Sequence, residues 1–160
     1  MVAAMEESPA TSDHWVLTKL VDALRLLALP AQEQIAVLPA FVATADEVAL
    51  TFDEAFRLVG ERVYQHVVSE DQQAALREID GMLESMSVPP AGASDWTPEA
   101  IATSVWSRDA LTADERWALL RIRALDLLQA LGADPGPPDL SGSTYVSADG
   151  DLVSGGEAHP

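Results

Sequence analysis

Residues 13–29, with the sequence DHWVLTKLVDALRLLAL, decide the fold class of this chain. Their leucines recur at spacings of three and four residues: Leu17, Leu20, Leu24 and Leu27. Side chains with this spacing lie on one face of an α-helix. Pro30 follows directly, and proline cannot continue a helix because it has no backbone N–H. The pattern therefore predicts one helix from about residue 13 to residue 29.

The same apolar periodicity continues along the chain. It predicts a short helix over 30–38, a helix from 44 that ends at Gly60 or continues to 67, and further helices over 69–86, 98–103 and 113–131. We find no convincing run of strict period-two alternation between Ser12 and Gly132. The fold class predicted is all-α, a compact irregular bundle of five or six helices joined by short connections.

Capping signals support these helix starts. Three segments have the capping-box form, in which a hydroxyl residue is followed three positions later by Glu or Gln; they begin at Thr44, Ser69 and Thr112. Thr97 precedes Pro98, and proline is favoured at the first position of a helix. Gly132 is suited to end the last helix.

The predicted domain organisation is a flexible N-terminus over 1–11, a helical domain over 12–132 and a tail over 133–160. The tail is rich in Pro, Gly, Ser and Asp, with five acids and no Lys or Arg. Residues 143–146 and 152–153 flank Asp149-Gly150, which is a good hairpin turn. Because an isolated hairpin is marginal in water, we expect the acidic tail to be disordered.

Charge excludes several classes of partner. The 160 residues hold 26 Asp and Glu against 9 Lys and Arg, a net charge of −17, of which −12 lies on residues 1–132. Such a chain repels DNA, RNA and anionic lipid, so neither a nucleic acid nor a membrane is the predicted partner. The N-terminus has no secretory pattern and no apolar run reaches membrane-spanning length, which predicts a cytoplasmic protein.

No pattern in the chain carries catalytic, cofactor or metal chemistry. Cysteine is absent, which excludes disulfides and thiol chemistry. The three histidines, His14, His66 and His159, form no metal-ligand spacing, and no nucleotide-binding glycine motif is present. The four tryptophans form either a ligand cage or, as we favour, part of the packing. We therefore predict no catalytic residues, no cofactor, no metal and no enzyme activity.

The acidic residues remain as candidates for function. Two Asp-Glu pairs lie seven residues apart on the third helix, so that equivalent members share neighbouring helical faces. With one further acid near the end of this helix, the candidate partner-binding residues are Asp46, Glu47, Asp53, Glu54 and Glu61. The alternative is a solvated acidic surface that only keeps the protein soluble.

Several segments resemble small acidic helical proteins of high-GC Gram-positive bacteria, among them immunity proteins of polymorphic toxin systems. The segments are 26–35 (LLALPAQEQI), 45–55 (ADEVALTFDEA), 96–100 (WTPEA) and 115–117 (ERW). Together they cover roughly residues 24–131. The resemblance implies a bacterial, all-helical binding protein and transfers no catalytic residue.

Two functions follow as hypotheses. The first is a protein-binding module, an immunity protein that occludes the active site of a cognate basic toxin through its acidic helical face. The alternative is an acidic scaffold or regulatory adaptor, without catalytic activity, in a larger assembly. The sequence leaves the oligomeric state open.

Overall fold

A computed structural model describes residues 9–88, 95–146 and 152–154 of the chain. The fold is all-α, as predicted. Its helices are α1 (Pro9–Ala28), α2 (Ala31–Val37), α3 (Thr44–Gly60), α4 (Glu70–Met86), α5 (Pro98–Ala102), α6 (Arg108–Ala113) and α7 (Glu115–Ala130). A 3-10 helix covers Gln65–Val67, and two strands follow α7, β1 (Thr144–Val146) and β2 (Leu152–Ser154). The described residues form seven α-helices, whereas five or six were expected. The additional helix is α6, which only Asp114 separates from α7.

Helix α1 is the centre of the bundle, because it packs against both α3 and α7. Its leucines Leu20, Leu24 and Leu27 are fully buried, and Leu26 is buried as well, so the apolar face is wider than a single stripe. Leu17, which the periodicity assigns to the same face, is only half-buried. A helix that contacts neighbours on two sides buries more than one face. No helix of the described residues is long and apolar enough to cross a membrane.

Two of the predicted helix starts are confirmed in detail. Ser69 accepts a hydrogen bond from the backbone N–H of Gln72, whose side chain accepts in return from the Ser69 N–H at 2.9 Å. Thr97 accepts from the Ala100 N–H ahead of α5, with Pro98 at the first helical position. In both cases the hydroxyl residue has extended backbone angles, as a cap requires.

The other two capping boxes are wrong. Thr44 is a buried residue inside α3, and the preceding Ala43 is the cap. Thr112 lies inside α6, and Asp114 caps α7 instead, accepting from the Arg116 N–H at 2.9 Å. A capping residue must leave the helical conformation, and the path of the chain into the helix decides which residue does so.

Helix α7 ends as predicted at Gly132, whose φ of 70° is the left-handed conformation that glycine adopts without steric cost. The N–H groups of Gly132 and Ala133 donate to the carbonyls of Gln129 and Leu128 at 3.0 and 2.9 Å. These are the two bonds of the Schellman motif. The motif turns the chain back along α1.

Part of the acidic tail is ordered against α1. Arg25 donates to the carbonyl of Asp134 at 2.9 Å, and Asp22 accepts from the N–H of Asp139 at 3.2 Å. Leu140 and Tyr145 are buried in the same core as the helices. Residues 133–146 therefore pack against the bundle, which differs from the disorder expected for the tail. Burial of apolar side chains offsets the entropy lost when the chain is ordered.

The tail also contains the two strands of the hairpin that the sequence analysis weighed against disorder. β1 and β2 pair antiparallel, with Tyr145 opposite Val153. Residues 9–11, which belong to the N-terminus predicted to be flexible over 1–11, are instead the first residues of α1. Residues 1–8, the predicted turn at Asp149-Gly150 and residues 155–160 of the tail lie outside the described residues.

Candidate partner-binding groove

A groove opens between α3 and α4, because α3 packs closely along α1 and touches α4 over only a short stretch. The segment that carries α5 closes its third side. We call this cavity of about 780 Å³ the α3–α4 groove; its lining includes Ala43, Asp46, Ala49, Leu50, Asp53, Phe56, Arg57, Asp80, Leu83, Glu84, Ser87, Trp96, Ile101 and Trp106.

The floor of the groove is apolar, and core residues position its aromatic side chains, Phe56 and Trp106. Phe56 stacks on the buried Phe52, with ring centroids 5.8 Å apart. Trp106 packs edge-on against the fully buried Trp117 at 5.6 Å, and its indole N–H donates to the carbonyl of Met86 at 2.9 Å. Both aromatic rings are therefore positioned by the core before any ligand binds.

Two large aliphatic side chains on the groove stand open to solvent. Leu50 is 49% exposed and Ile101 is 43% exposed. Exposed apolar side chains that lie in one concavity, beside aromatic rings, are typical of a binding surface and differ from singly scattered ones.

Carboxylates line both helical rims of the groove. Asp46 and Asp53 belong to α3, and Asp80 and Glu84 belong to α4. Among the described lining residues Arg57 is the one cation, and it pairs with Asp53 at 2.9 Å while its side chain remains 78% exposed. The groove therefore carries an excess of negative charge around an apolar floor.

The carboxylates are close enough to affect one another across the groove. Burial raises the pKa of Asp80 above its usual value, the negative charges of Asp53 and Glu84 raise it further, and Arg57 partly offsets them. A second cation placed here would relieve this repulsion, since an opposite charge within a few ångströms favours the ionised carboxylate.

The five predicted residues do not share one surface. Asp46 and Asp53 line the groove. Glu47 and Glu54 lie on the neighbouring side of α3, close enough to Tyr145 that their charges, after burial, raise the pKa of that phenol. Glu61 is exposed at the end of α3, outside the groove lining.

Glu47, which lies near Tyr145 of the tail, has a raised pKa. Burial raises its pKa, and the charges of Asp46 and Glu54 add to the effect. Its carbonyl also accepts a hydrogen bond from the hydroxyl of Thr51, one turn later in α3, at 2.7 Å. The acids of α3 thus divide between the open groove and the side of the helix that lies near Tyr145.

Among the groove residues that were not selected from the sequence as site residues, four have side chains with acidic or aromatic character that matters for binding: Asp80, Glu84, Trp96 and Trp106. The two acids belong to α4, and no pattern in the sequence indicates that they lie near Asp53 of α3. The tryptophans form no single cage, because Trp117 is buried and Trp15 is exposed beside Lys19. Half-buried Trp96 and Trp106 alone share the groove.

Other chemistry finds no support in the described residues. No group of three or more His, Cys, Asp or Glu side chains there is arranged to hold a metal ion. His66 pairs with Asp13 at 2.7 Å on the surface, which links the 3-10 helix to α1.

Comparison with known proteins gives no match: no family model, no curated protein and no solved structure is similar to this chain. The groove is therefore the basis on which a function can be inferred.

Proposed function

We propose that this chain is a non-catalytic protein-binding module whose α3–α4 groove receives a basic segment of a partner protein. One observation carries the proposal: carboxylates on two helices flank an apolar, aromatic floor in a single concavity. A cationic segment with an apolar anchor is complementary to both parts of this surface.

The two parts have different roles in binding. Apolar contacts to Trp106, Leu50 and Ile101 provide most of the affinity, because truncation of a well-packed aromatic anchor typically costs about 2 kcal/mol or more. Asp46, Asp53 and Glu84 act mainly on the association rate and on the choice of partner, since exposed charges steer encounter more than they hold a complex.

The partner class that we propose is a basic toxin domain, so that the chain is an immunity protein. The resemblance noted in the sequence and the net charge of −17 support this assignment. Asp80 and Glu47, whose pKa values are raised by burial and by like charges, are the residues on which a catalytic role would rest. In the proposed role they only add charge to the surface.

The test is a pull-down from the native host at low salt, with the captured protein identified and then purified. Its association rate is measured against ionic strength for the wild type and two double variants. Asp53→Asn with Asp80→Asn removes two groove charges. Glu54→Gln with Asp126→Asn removes two exposed charges outside the groove.

We expect the groove variant to slow association about tenfold, and the control to differ from the wild type by less than threefold. Association should also slow as salt rises. A partner that binds both variants at the wild-type rate, independently of salt, would contradict the proposal. Protection from one toxin supports the immunity role, and recovery with a stable host assembly supports the scaffold role instead.

A further inference from the structure

We infer that the segment bound in the α3–α4 groove is a basic amphipathic α-helix. This inference rests on the proposed function and specifies the form of the partner's contact element. It follows from two properties of the groove: most backbone groups of its lining are already hydrogen-bonded within helices, and its acids lie at helical spacings on both rims.

The walls of the groove offer few backbone groups to an incoming chain. Helices α3, α4 and α5 form most of the lining, and helical N–H and C=O groups are bonded within the helix. The connecting residues are also engaged: the N–H of Trp96 donates to Asp95 at 2.8 Å, and the N–H of Trp106 donates to Ser104 at 3.1 Å. The two described strands pair with each other and do not line the groove.

An extended segment laid on this floor would leave its own backbone unpaired. Recognition of extended peptides often relies on main-chain bonds to a strand edge, and the described residues that line the groove include no strand. Each buried N–H or C=O without a partner costs about 1–3 kcal/mol. A helix satisfies its backbone internally, so it can bury an apolar face here without that cost.

The acids on the two rims have spacings that match a helix lying between them. Asp46 and Asp53 are seven residues apart, about 10.5 Å along α3, and Asp80 and Glu84 are four apart, about 6 Å along α4. A ligand helix that carries cations seven apart on one edge and four apart on the other meets both rims. Its apolar face then contacts Leu50 and the other floor residues.

Arg57 occupies one of these cation positions in the free protein. It pairs with Asp53 from within α3, and its side chain is largely in solvent, so it can leave without losing buried contacts. A ligand cation that takes its place would contact Asp53 and reduce the repulsion at Asp80. Arg57→Gln should therefore bind the same ligand more tightly than the wild type does.

Three capped 16-residue peptides of Leu, Trp, Ala and Arg test this inference. The first is amphipathic, with Leu and Trp on one helical face and Arg on both edges at the spacings above. The second has the same composition in an order that spreads Arg around the helix. The third is the first with two central Ala residues replaced by Pro. Affinity is measured by calorimetry, and helicity by circular dichroism.

We expect the amphipathic peptide to gain helicity on binding and to bind at least tenfold more tightly than either other peptide. Asp53→Asn with Asp80→Asn should weaken it about tenfold, Arg57→Gln should tighten it two- to fivefold, and Glu54→Gln with Asp126→Asn should change it less than twofold.

Three results would overturn the inference. Equal binding of the proline peptide would show an extended ligand, and equal binding of the permuted peptide would show attraction by net charge alone. Absence of binding by all three would also overturn it. The proposed function is judged separately, by whether the captured partner responds to the groove variant, so a helix-independent partner would leave that function standing.

Discussion

Gln34 is the residue whose replacement tests the packing of the bundle most directly. It is fully buried, and its side-chain amide donates to the carbonyls of Leu26 and Leu27 at 3.0 and 3.1 Å. Those carbonyls belong to the last turn of α1, where helical partners run out. Pro30, which follows, has no N–H to offer the carbonyl of Leu26. The Gln34 amide therefore supplies a donor to the carbonyl of Leu27 and a second donor to that of Leu26, which also accepts from the N–H of Leu29 at 3.4 Å.

Arg121 extends this arrangement to two more helices. Its guanidinium donates to the carbonyl of Leu29 at 3.1 Å, to the side-chain oxygen of Gln34 at 3.2 Å, and to the carbonyl of Leu111. Burial lowers the pKa of Arg121, as expected for a cation held by neutral oxygens. The two side chains together fasten α2, α6 and α7 to the end of α1.

Gln34→Met keeps the approximate volume and removes the donors. The carbonyl of Leu27 loses its side-chain partner, and that of Leu26 keeps only the N–H of Leu29 at 3.4 Å. A buried group left unsatisfied in this way costs about 1–3 kcal/mol. We expect the free energy of unfolding to fall by about 3 kcal/mol, which lowers the melting temperature by roughly 6–12 °C in a chain of this size. Urea unfolding followed by tryptophan fluorescence should show a lower midpoint with an unchanged slope.

The control is Gln32→Met, at an exposed position of the same short helix, which should stay within about 0.5 kcal/mol of the wild type. Equal midpoints for the two variants would refute the role assigned to Gln34. A double-mutant cycle with Arg121→Met should give a coupling of about 1 kcal/mol, because the two side chains share a hydrogen bond.

Three further predictions concern Asp80, Asp114 and the tail. The fold raises the pKa of Asp80, so the folded protein holds that proton more tightly than the unfolded chain and ionisation costs stability at neutral pH. Asp80→Asn should raise the urea midpoint at pH 7, with the gain lost as the pH falls through the folded-state pKa; an unchanged midpoint at pH 7 contradicts this. Bonds from Arg116 lower the pKa of Asp114, so Asp114 contributes stability above its unfolded pKa and loses it as the pH falls through the folded value. Asp114→Ala should cost about 1 kcal/mol at pH 7 and less at pH 2, and equal costs at both pH values would argue against the cap. Leu140→Ala should destabilise the protein by about 2 kcal/mol in thermal unfolding, whereas a tail that does not pack would show no change.

The individual helices could be predicted because their signals are local. The leucine spacing of α1, the capping box at Ser69 and the glycine after α7 each depend on residues within one or two turns, and all three are present. The boxes at Thr44 and Thr112 satisfied the same pattern and failed. A cap depends on the direction from which the chain enters the helix, and neighbouring elements set that direction.

The order in residues 133–146 could not be predicted from composition. Pro, Gly, Ser and Asp favour an unfolded chain when nothing is packed against it. Leu140 and Tyr145 are nevertheless buried in the core that the helices form, which is a property of the assembled bundle.

Local sequence patterns specify the all-α class, the acidity and the rotation of α3 about its axis, since burial of Val48, Phe52 and Ala55 directs the Asp and Glu residues of this helix outward. What each acid meets depends on the tertiary structure: Asp53 lies with Asp80 in the open groove, whereas the exposed Glu54 lies on the side of α3 near Tyr145. The helical period specifies the direction of a side chain relative to its own axis. The angle and separation of two helices come from side chains that interlock over long sequence distances, and no local pattern encodes them.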